Sequence, residues 1–433
     1  MKVNKIIAAA LVGHVLEFYD FTVYAVFSVV IGELFFPKYD PFSQILSSLA
    51  VFAVGFFMRP IGGILFGHIG DKYGRRAALT VAIVGMAAAT TLIGFMPTYS
   101  EIGIIAPISL VVLRLIQGTC VGGEGAGASI FVLEHLKNIK PGLIGGMINA
   151  ALTLGILLAI IVGMALNTIF NSEQEAWRYA FFIGGMMGIV GLYIRIQIEE
   201  TPEFEQRKKE DKLVKIPIIS SYKNYPKYAL MTIVVGALTG ATGYTIMTYI
   251  TIFFQKVMNL NPQHALLYGG FANLSLIMYL PIMGMISDRI GYAKTIAFSC
   301  IMLIFCSTPL YQMLASGDQT LTILAINILA LIVAGTYAPL YPFIINFFPV
   351  EYRYSAIACN LNIGIALCGG TCSIINLYLI EATSLLYAPA FYLNALSLIF
   401  LCTLYLTDRR SFISLFKRTI NNEQLQTETK SNI

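Results

Sequence analysis

The chain has 433 residues, of which 57% are hydrophobic and 12% are charged, and its formal net charge is +5. Soluble domains carry roughly 25% charged residues, so this composition excludes an ordinary soluble enzyme or binding domain and predicts a membrane protein. The basic residues lie between apolar runs and do not form one basic face, which argues against a nucleic-acid partner.

Apolar runs recur along the whole chain, and a helix needs about 20 residues to cross a bilayer. The first run contains Glu17 and Asp20 and continues past them with no clear cleavage site, which favours a retained helix over a signal peptide. The sequence therefore predicts an all-α membrane protein with twelve spans. They are expected at 7–35, 43–69, 77–97, 103–133, 142–170, 177–198, 227–256, 263–287, 294–315, 320–348, 354–381 and 385–407.

The second run ends in a tight, charged turn with the pattern G-x-x-G-D-K-x-G-R-R over 67–76. Such a turn cannot lie in hydrocarbon, so it marks a membrane surface between two helices. We expect Asp71 to bind helix-terminal N–H groups or a basic neighbour, and the glycines to allow close approach. The alternative is that the basic residues only set topology. The residues expected to form this conformational switch are Gly67, Gly70, Asp71, Lys72, Gly74, Arg75 and Arg76.

The turn recurs in register in the second half of the chain. Gly284, Asp288, Arg289 and Gly291 repeat the first pattern, and Glu351 repeats Glu134 at the same offset. Such a repeat predicts two six-helix halves around a central site. We expect these halves at 1–198 and 227–407, a polar linker at 199–226 and a polar tail at 408–433. Asp288 and Arg289 are assigned to the same switch.

The basic residues also predict the orientation. Most of the 28 Lys and Arg residues fall on the side that holds both termini, and this side is cytoplasmic by the positive-inside rule. Arg59 and Arg114 are the basic residues expected inside spans. We expect a multi-pass protein of the plasma (inner) membrane with both termini in the cytoplasm.

Ionisable residues inside spans indicate function, because a charged side chain at mid-helix costs at least ~2.5–3.5 kcal/mol. Glu17, Asp20 and Tyr24 share one face of the first helix by their i, i+3, i+7 spacing. Burial and a nearby arginine act in opposite directions on the proton affinity of a carboxyl group, which suits a coupling site. The alternative is a structural Arg–carboxylate network. The proposed proton-coupling residues are Glu17, Asp20 and Glu124, and the proposed solute-binding residues are Tyr19, Tyr24, Arg114 and Gln117.

Charge balance separates two kinds of solute. A carboxylate needs a cation, which Arg114 offers, and a zwitterion also needs an acidic or aromatic partner for its positive end. A dicarboxylate would need a second cation. Arg59 is expected nearer the cytoplasmic end, in a structural or coupling role, so a zwitterion is favoured.

Several segments carry a family resemblance. They are R-P-x-G-G at 59–63, the turn at 67–76, G-x-x-x-E-F-Y-D-F-x-x-Y at 13–24 and L-R-L-I-Q-G at 113–118. The chain resembles the metabolite:proton symporters of the major facilitator superfamily. Segments 35–41 and 97–107 are most similar to the proline/betaine transporter branch. That branch can carry Lys at the position of Arg114, whereas several organic-acid carriers have Arg.

The resemblance implies a twelve-helix symporter with alternating access that takes up a small zwitterion such as proline or betaine together with protons. A small carboxylate such as 2-oxoglutarate is the alternative solute, and a non-transporting membrane sensor is the alternative class. The seven cysteines form no C-x-x-C pair, and the histidines show no metal-ligand spacing. We therefore expect no metal, no cofactor and no enzymatic activity. The expected partners are the solute, protons and lipid, with the protein as a monomer.

Overall fold

A computed structural model describes residues 3–37, 41–135, 140–170, 173–197, 200, 204–206 and 222–407. Within these ranges the chain is built from helices. In chain order they are α1 (Val3–Val26 and Ser28–Phe35), α2 (Pro41–Lys72), α3 (Arg75–Phe95), α4 (Ile105–His135), α5 (Pro141–Phe170), α6 (Glu173–Ile196), α7 (Pro226–Tyr244, continued to Val257), α8 (Pro262–Ile290), α9 (Tyr292–Leu314), α10 (Gln319–Tyr337, continued to Phe347), α11 (Arg353–Gly364 and Cys372–Thr383, joined by residues 365–369) and α12 (Pro389–Thr407).

The number of spans agrees with the prediction. Eleven helices in the described ranges are long and apolar enough to cross a membrane, and α1 makes the twelfth when its two segments, bent by 59°, are counted as one span. All of the predicted tail, 408–433, and most of the predicted linker, 199–226, lie outside the described residues.

Three short π-helical segments interrupt the second half, and the sequence did not predict them. Thr245–Tyr249 and Phe253–Val257 lie in α7, and Ile365–Gly369 lies in α11. An extra residue in a turn changes which side chains face a neighbouring helix, and such segments are frequent at functional sites. The π-helical segments therefore make the inner faces of α7 and α11 candidates for lining a functional site.

Glycines bring α2 and α4 into backbone contact. A Cβ added to Gly62 would meet the carbonyl oxygen of Thr119, one added to Gly118 would meet Gly55, and one added to Gly122 would meet Arg59. Small residues that allow such approach are the usual basis of helix packing in membranes, where burial of apolar surface gives no advantage over lipid. This contact fixes the depth of Arg59 relative to α4.

The two halves meet through two equivalent helix pairs. On one side, Gly63 and Gly67 of α2 pack on the backbone of α11 at Ala358 and Ser355. On the other side, Gly146 of α5 packs on the carbonyl of Leu280 in α8. These pairings follow the predicted repeat, because α8 corresponds to α2 and α11 corresponds to α5.

The charged turn is shorter than the sequence analysis expected. Gly67, Gly70 and Asp71 lie within α2, which continues to Lys72, and only Tyr73 and Gly74 connect it to α3. Gly74 has a φ of 117°, a conformation that favours glycine, and Gly291 of the repeat has a φ of 101°. We call the membrane face that carries these two connections the loop face.

Candidate functional site

Asp71 joins the two halves at the loop face. Its carboxylate accepts hydrogen bonds from the backbone N–H of Ser355 at 2.9 Å, from the Ser355 hydroxyl at 2.7 Å and from the backbone N–H of Tyr354 at 3.3 Å. These donors lie in the first turn of α11, where the helix dipole favours a negative charge. Arg75 lies 3.3 Å from the same carboxylate. Both kinds of partner that the sequence indicated for Asp71 are therefore present.

Asp288 makes the equivalent contact in the repeat. Its two carboxylate oxygens accept from the backbone N–H groups of Gly142 at 2.7 Å and Leu143 at 2.9 Å, in the first turn of α5. Each half thus caps a helix of the other half. Both contacts lie on the loop face and join the two halves there.

A chain of buried charges extends from Asp71. Arg75 reaches Glu134 at 3.4 Å, and Glu134 also pairs with Arg353 of the second half at 3.1 Å. Arg75 further donates to the carbonyl of Val350 at 2.9 Å. Arg75 is thus a buried partner of both halves and does more than set topology.

Three of the remaining switch residues are on the surface. Lys72, Arg76 and Arg289 are exposed at the loop face. The carboxylate of Glu200 accepts from the backbone N–H groups of Arg75 and Arg76 and so caps α3. Gly70 is buried, and a Cβ there would meet the ring of Tyr354.

Arg114 is a charge buried in the interior. Its side chain is 0% exposed, and its guanidinium lies 4.4 Å from the ring centre of Tyr24 and 4.7 Å from that of Phe21. One nitrogen donates to the amide oxygen of Gln117 at 2.8 Å, whose own N–H group donates to Thr90. Its Nε and Nη2 atoms have no hydrogen-bond partner among the described residues. The Arg–carboxylate network, which was the alternative interpretation, is not formed at Arg114 among these residues, so the buried cation can accept an anion.

Arg59 lies closer to Arg114 than the sequence analysis placed it. Its guanidinium is 4.5 Å from the ring centre of Phe21, the same ring that Arg114 contacts, and 4.2 Å from that of Phe56. It also donates to the hydroxyl of Tyr244 on α7 at 3.2 Å. The expectation of a cytoplasmic-end position was wrong, because the glycine contact of α2 with α4 brings Arg59 towards the interior.

Glu17 lies in a second group of charges. It is buried, both carboxylate oxygens lack a hydrogen-bond partner among the described residues, and the charges that act on it are those of Glu124, Arg59 and Arg195. Glu124 pairs with Arg195 at 3.0 Å. Glu17 is therefore a buried acid without a direct partner, whereas Glu124 is already paired.

Arg195 was missed by the sequence analysis. It lies near the end of the predicted span 177–198, and a basic residue there resembles a topology signal. In the structure it is 2% exposed and turns inward to Glu124. Its place within a predicted span was the one signal that could have identified it.

The other predicted residues of α1 face different neighbours. Asp20 lies beside Thr90 and Gly184, with its Oδ1 atom buried and unbonded. Tyr24 donates to the Ser48 carbonyl at 3.2 Å and faces Arg114. Tyr19 donates to the Ala180 carbonyl of α6 at 2.9 Å, so it lies apart from the Arg114 group. The shared face of α1 is thus divided among several helices.

Comparisons with known proteins agree with this architecture. Residues 10–370 match the Major Facilitator Superfamily. A glycine betaine/proline/ectoine/pipecolic acid transporter, OusA, of Dickeya dadantii is 33% identical over 417 residues, which cover 93% of this chain and 82% of that protein. The proline/betaine transporter of Escherichia coli K12 is 34% identical over 417 residues, with 93% and 83% covered.

Solved structures share the fold at low sequence identity. The proton:xylose symporter XylE, bound to 6-bromo-6-deoxy-D-glucose, has a TM-score of 0.72 at 15% identity, covering 93% of this chain and 95% of that one. The human organic anion transporter MFSD10 has a TM-score of 0.66 at 14% identity, covering 94% and 100%.

Proposed function

The chain belongs to the Major Facilitator Superfamily, and we propose that it couples proton entry to the uptake of a small zwitterion such as proline or betaine. It is a transporter by family and a multi-pass integral membrane protein. The relatives that share about a third of its sequence transport proline and betaine, which supports this choice of solute.

The observation that carries the proposal is the unpaired Arg114. Charges inside a membrane are costly and mark sites where a counter-ion binds. Arg114 is pre-positioned by Gln117 and three aromatic rings, and two of its nitrogens have no hydrogen-bond partner in the part of the chain that the structure describes. A solute carboxylate would accept from both nitrogens of such a fork. We assign Arg114, Gln117 and Tyr24 to the solute site, and we withdraw Tyr19 from it.

We assign proton coupling to Glu17, with Asp20 and Glu124 as the next candidates. A carboxyl group that is buried without a hydrogen-bond partner is free to change its protonation at lower cost than one held in an ion pair. Glu17 fits this condition and Glu124, paired with Arg195, does not. The charges of Arg59 and Arg195 act on Glu17, so a solute bound near Arg59 would change its proton affinity.

Alternating access supplies the mechanism. The halves 1–198 and 227–407 would rock about the central site, with the linker 199–226 and the tail 408–433 in the cytoplasm. The caps at Asp71 and Asp288 would hold the loop face closed when the site opens to the other side. We place the loop face and both termini in the cytoplasm by the positive-inside rule, with the protein in the plasma (inner) membrane as a monomer.

One observation favours the alternative solute, a dicarboxylate such as 2-oxoglutarate. Arg59 and Arg114 both contact Phe21, so a second cation is available after all. Glu17 acts on Arg59, however. The groups that act on Arg114 are the Tyr24 phenol and the Arg59 cation, and neither is a carboxylate. When Glu17 is ionised, its charge compensates that of Arg59 and leaves Arg114 as the uncompensated cation. This arrangement suits a solute with a single carboxylate.

A competition panel separates these solutes. Purified protein in proteoliposomes under an imposed inward proton gradient should accumulate labelled proline, and unlabelled betaine should compete better than 2-oxoglutarate, citrate or shikimate. Preferential competition by 2-oxoglutarate would select the alternative. No accumulation of any of these solutes under the gradient would favour the sensor class.

A further inference from the structure

A buried, uncharged polar cluster lies in the second half, and the switch and the charged residues do not involve it. The cluster comprises Tyr249 on α7, Tyr311 on α9, and Cys372 and Asn376 on α11. The four side chains are 0–1% exposed. The hydroxyl of Tyr249 and the side-chain oxygen of Asn376 have no hydrogen-bond partner among the described residues, and the Tyr311 hydroxyl lies beside the side chain of Thr245.

Contacts among its members define one site. Asn376 donates to the Cys372 sulfur at 3.4 Å, and that sulfur lies 3.5 Å from the hydroxyl of Thr245. Tyr311 is close enough to Tyr249 and Cys372 to interact electrostatically with both. Buried polar atoms in native proteins are nearly always hydrogen-bonded, so the unbonded oxygens of Tyr249 and Asn376 indicate a missing ligand.

Aromatic rings line the same place. The ring centres of Tyr249 and Phe253 are 6.2 Å apart, and those of Phe253 and Tyr311 are 6.0 Å apart. Tyr249 ends the π-helical segment Thr245–Tyr249, and Phe253 begins the next one. The altered helix turn therefore supplies two of the three rings.

The cluster adjoins the Arg59 group across the boundary between the halves. Cys372 packs in the same apolar cluster as Phe21, Phe56 and Tyr244. Tyr244 accepts from Arg59 and lies roughly one helical turn before Tyr249 on α7. A small molecule with its anionic end at the arginines would therefore extend towards this cluster.

We propose that this buried polar cluster binds the ammonium end of the transported zwitterion. A cation is attracted to the faces of aromatic rings, and this attraction allows a site to bind an ammonium group without a carboxylate. The hydroxyl and amide oxygens would accept hydrogen bonds from N–H groups where the ammonium has them. The inference rests on the proposed function, since it requires a zwitterionic solute.

The two solutes of the relatives give different tests, because protonated proline nitrogen carries N–H groups and glycine betaine nitrogen carries none. Tyr249→Phe and Tyr311→Phe keep the rings and remove the oxygens. We expect them to weaken apparent proline affinity about tenfold and to leave betaine affinity unchanged. Tyr249→Leu and Tyr311→Leu remove the rings and should weaken both solutes about tenfold.

The measurements are initial uptake rates of labelled proline and labelled betaine in proteoliposomes, with the thermal unfolding midpoint of each variant in detergent. Tyr378 on α11 is 66% exposed and provides the control pair Tyr378→Phe and Tyr378→Leu, which should match the wild type. Wild-type affinities for both solutes in folded Tyr249 and Tyr311 variants would overturn the inference. Equal losses of proline and betaine in the Phe variants would also overturn it, because a packing defect does not distinguish the solutes.

Two further results are informative. Sodium-dependent uptake that the Asn376→Ala variant alone abolishes would replace the inference with a metal-cation site. A wild-type protein that accumulates neither solute would refute the proposed function itself, whereas wild-type transport with unaffected variants refutes only the ammonium site.

Discussion

Asp71 in the first half accepts two hydrogen bonds from Ser355 in the second half, one from its backbone N–H and one from its hydroxyl. Both residues are buried, so no water replaces these bonds while the contact is closed. A carboxylate at the first turn of a helix stabilises that helix through the unsatisfied N–H groups and the helix dipole. We therefore expect the closed loop face to depend on this charge, which would have to leave α11 for the face to open.

Replacing Asp71 by Asn should impair transport without preventing membrane insertion. The amide retains one acceptor but loses the charge, and a capping interaction of this kind contributes about 1 kcal/mol or more when buried. We expect reduced proline uptake in proteoliposomes at unchanged protein content. The control is Asp318→Asn, because Asp318 caps a helix through Leu321 on an exposed loop within one half.

The same variant should open the loop face. Spin labels at exposed Tyr73 and Ile290, one in each half, report the separation across that face. We expect the Asp71→Asn protein, in a background without native cysteines, to show a larger share of long distances. Normal uptake and an unchanged distance distribution would show that Asp71 does not stabilise the closed state.

Asp288→Asn should have a similar effect, since Asp288 caps α5 as Asp71 caps α11. Both caps break in the same movement and share no partner, so on a free-energy scale the double variant should lose about the sum of the two single losses. The measurement is again the distance distribution between the two labels. A double variant that opens no further than either single variant would mean that only one of the two caps stabilises the closed state.

Glu17→Gln should abolish proton-driven accumulation while sparing exchange of labelled for unlabelled proline. A glutamine side chain cannot bind and release a proton as a carboxyl group does, yet it keeps the size and polarity of the glutamate side chain. Because Glu17 has no direct hydrogen-bond partner, the variant should unfold at the wild-type temperature or higher. Accumulation that still depends fully on the proton gradient would move the proton site to Asp20 or Glu124.

Glu124→Gln should instead destabilise the protein, because it leaves Arg195 as an uncompensated buried cation. Breaking a buried ion pair from one side costs about 3–5 kcal/mol, whereas replacing both partners can be nearly neutral. We expect a lowered unfolding temperature for the single variant and recovery in Glu124→Gln with Arg195→Gln. An unchanged unfolding temperature in the single variant would show that the pair is not important for stability.

Sequence alone predicted the elements that depend on local pattern. The twelve spans follow from apolar length, and the paired contacts of Asp71 and Asp288 follow from a turn that occurs twice in register. It failed where a side chain's direction depends on packing between helices. In the sequence Arg195 resembles a topology signal, and only the packing of α6 against α4 brings Glu124 beside it. Arg114 was expected beside carboxylates, but α1 and α2 present aromatic rings to it.

The π-helical segments show a second limit of sequence patterns. Residues 245–257 have the composition of an ordinary apolar helix, so nothing in their periodicity indicates the two extra-residue turns. Those turns depend on contacts of α7 with neighbouring helices. The two π-helical turns place the side chains of Tyr249 and Phe253 on the same, inward-facing side of α7.

Equilibrium binding of labelled proline to purified protein tests most directly whether Arg114 binds the solute carboxylate. Arg114→Ala should lose detectable binding, and Arg114→Lys should bind more weakly, because Lys lacks the planar two-donor fork. The exposed residue Lys227 at the start of α7 supplies the control, since Lys227→Ala should bind like the wild type. Wild-type affinity for proline in a folded Arg114→Ala protein would contradict the claim and leave Arg114 a structural residue.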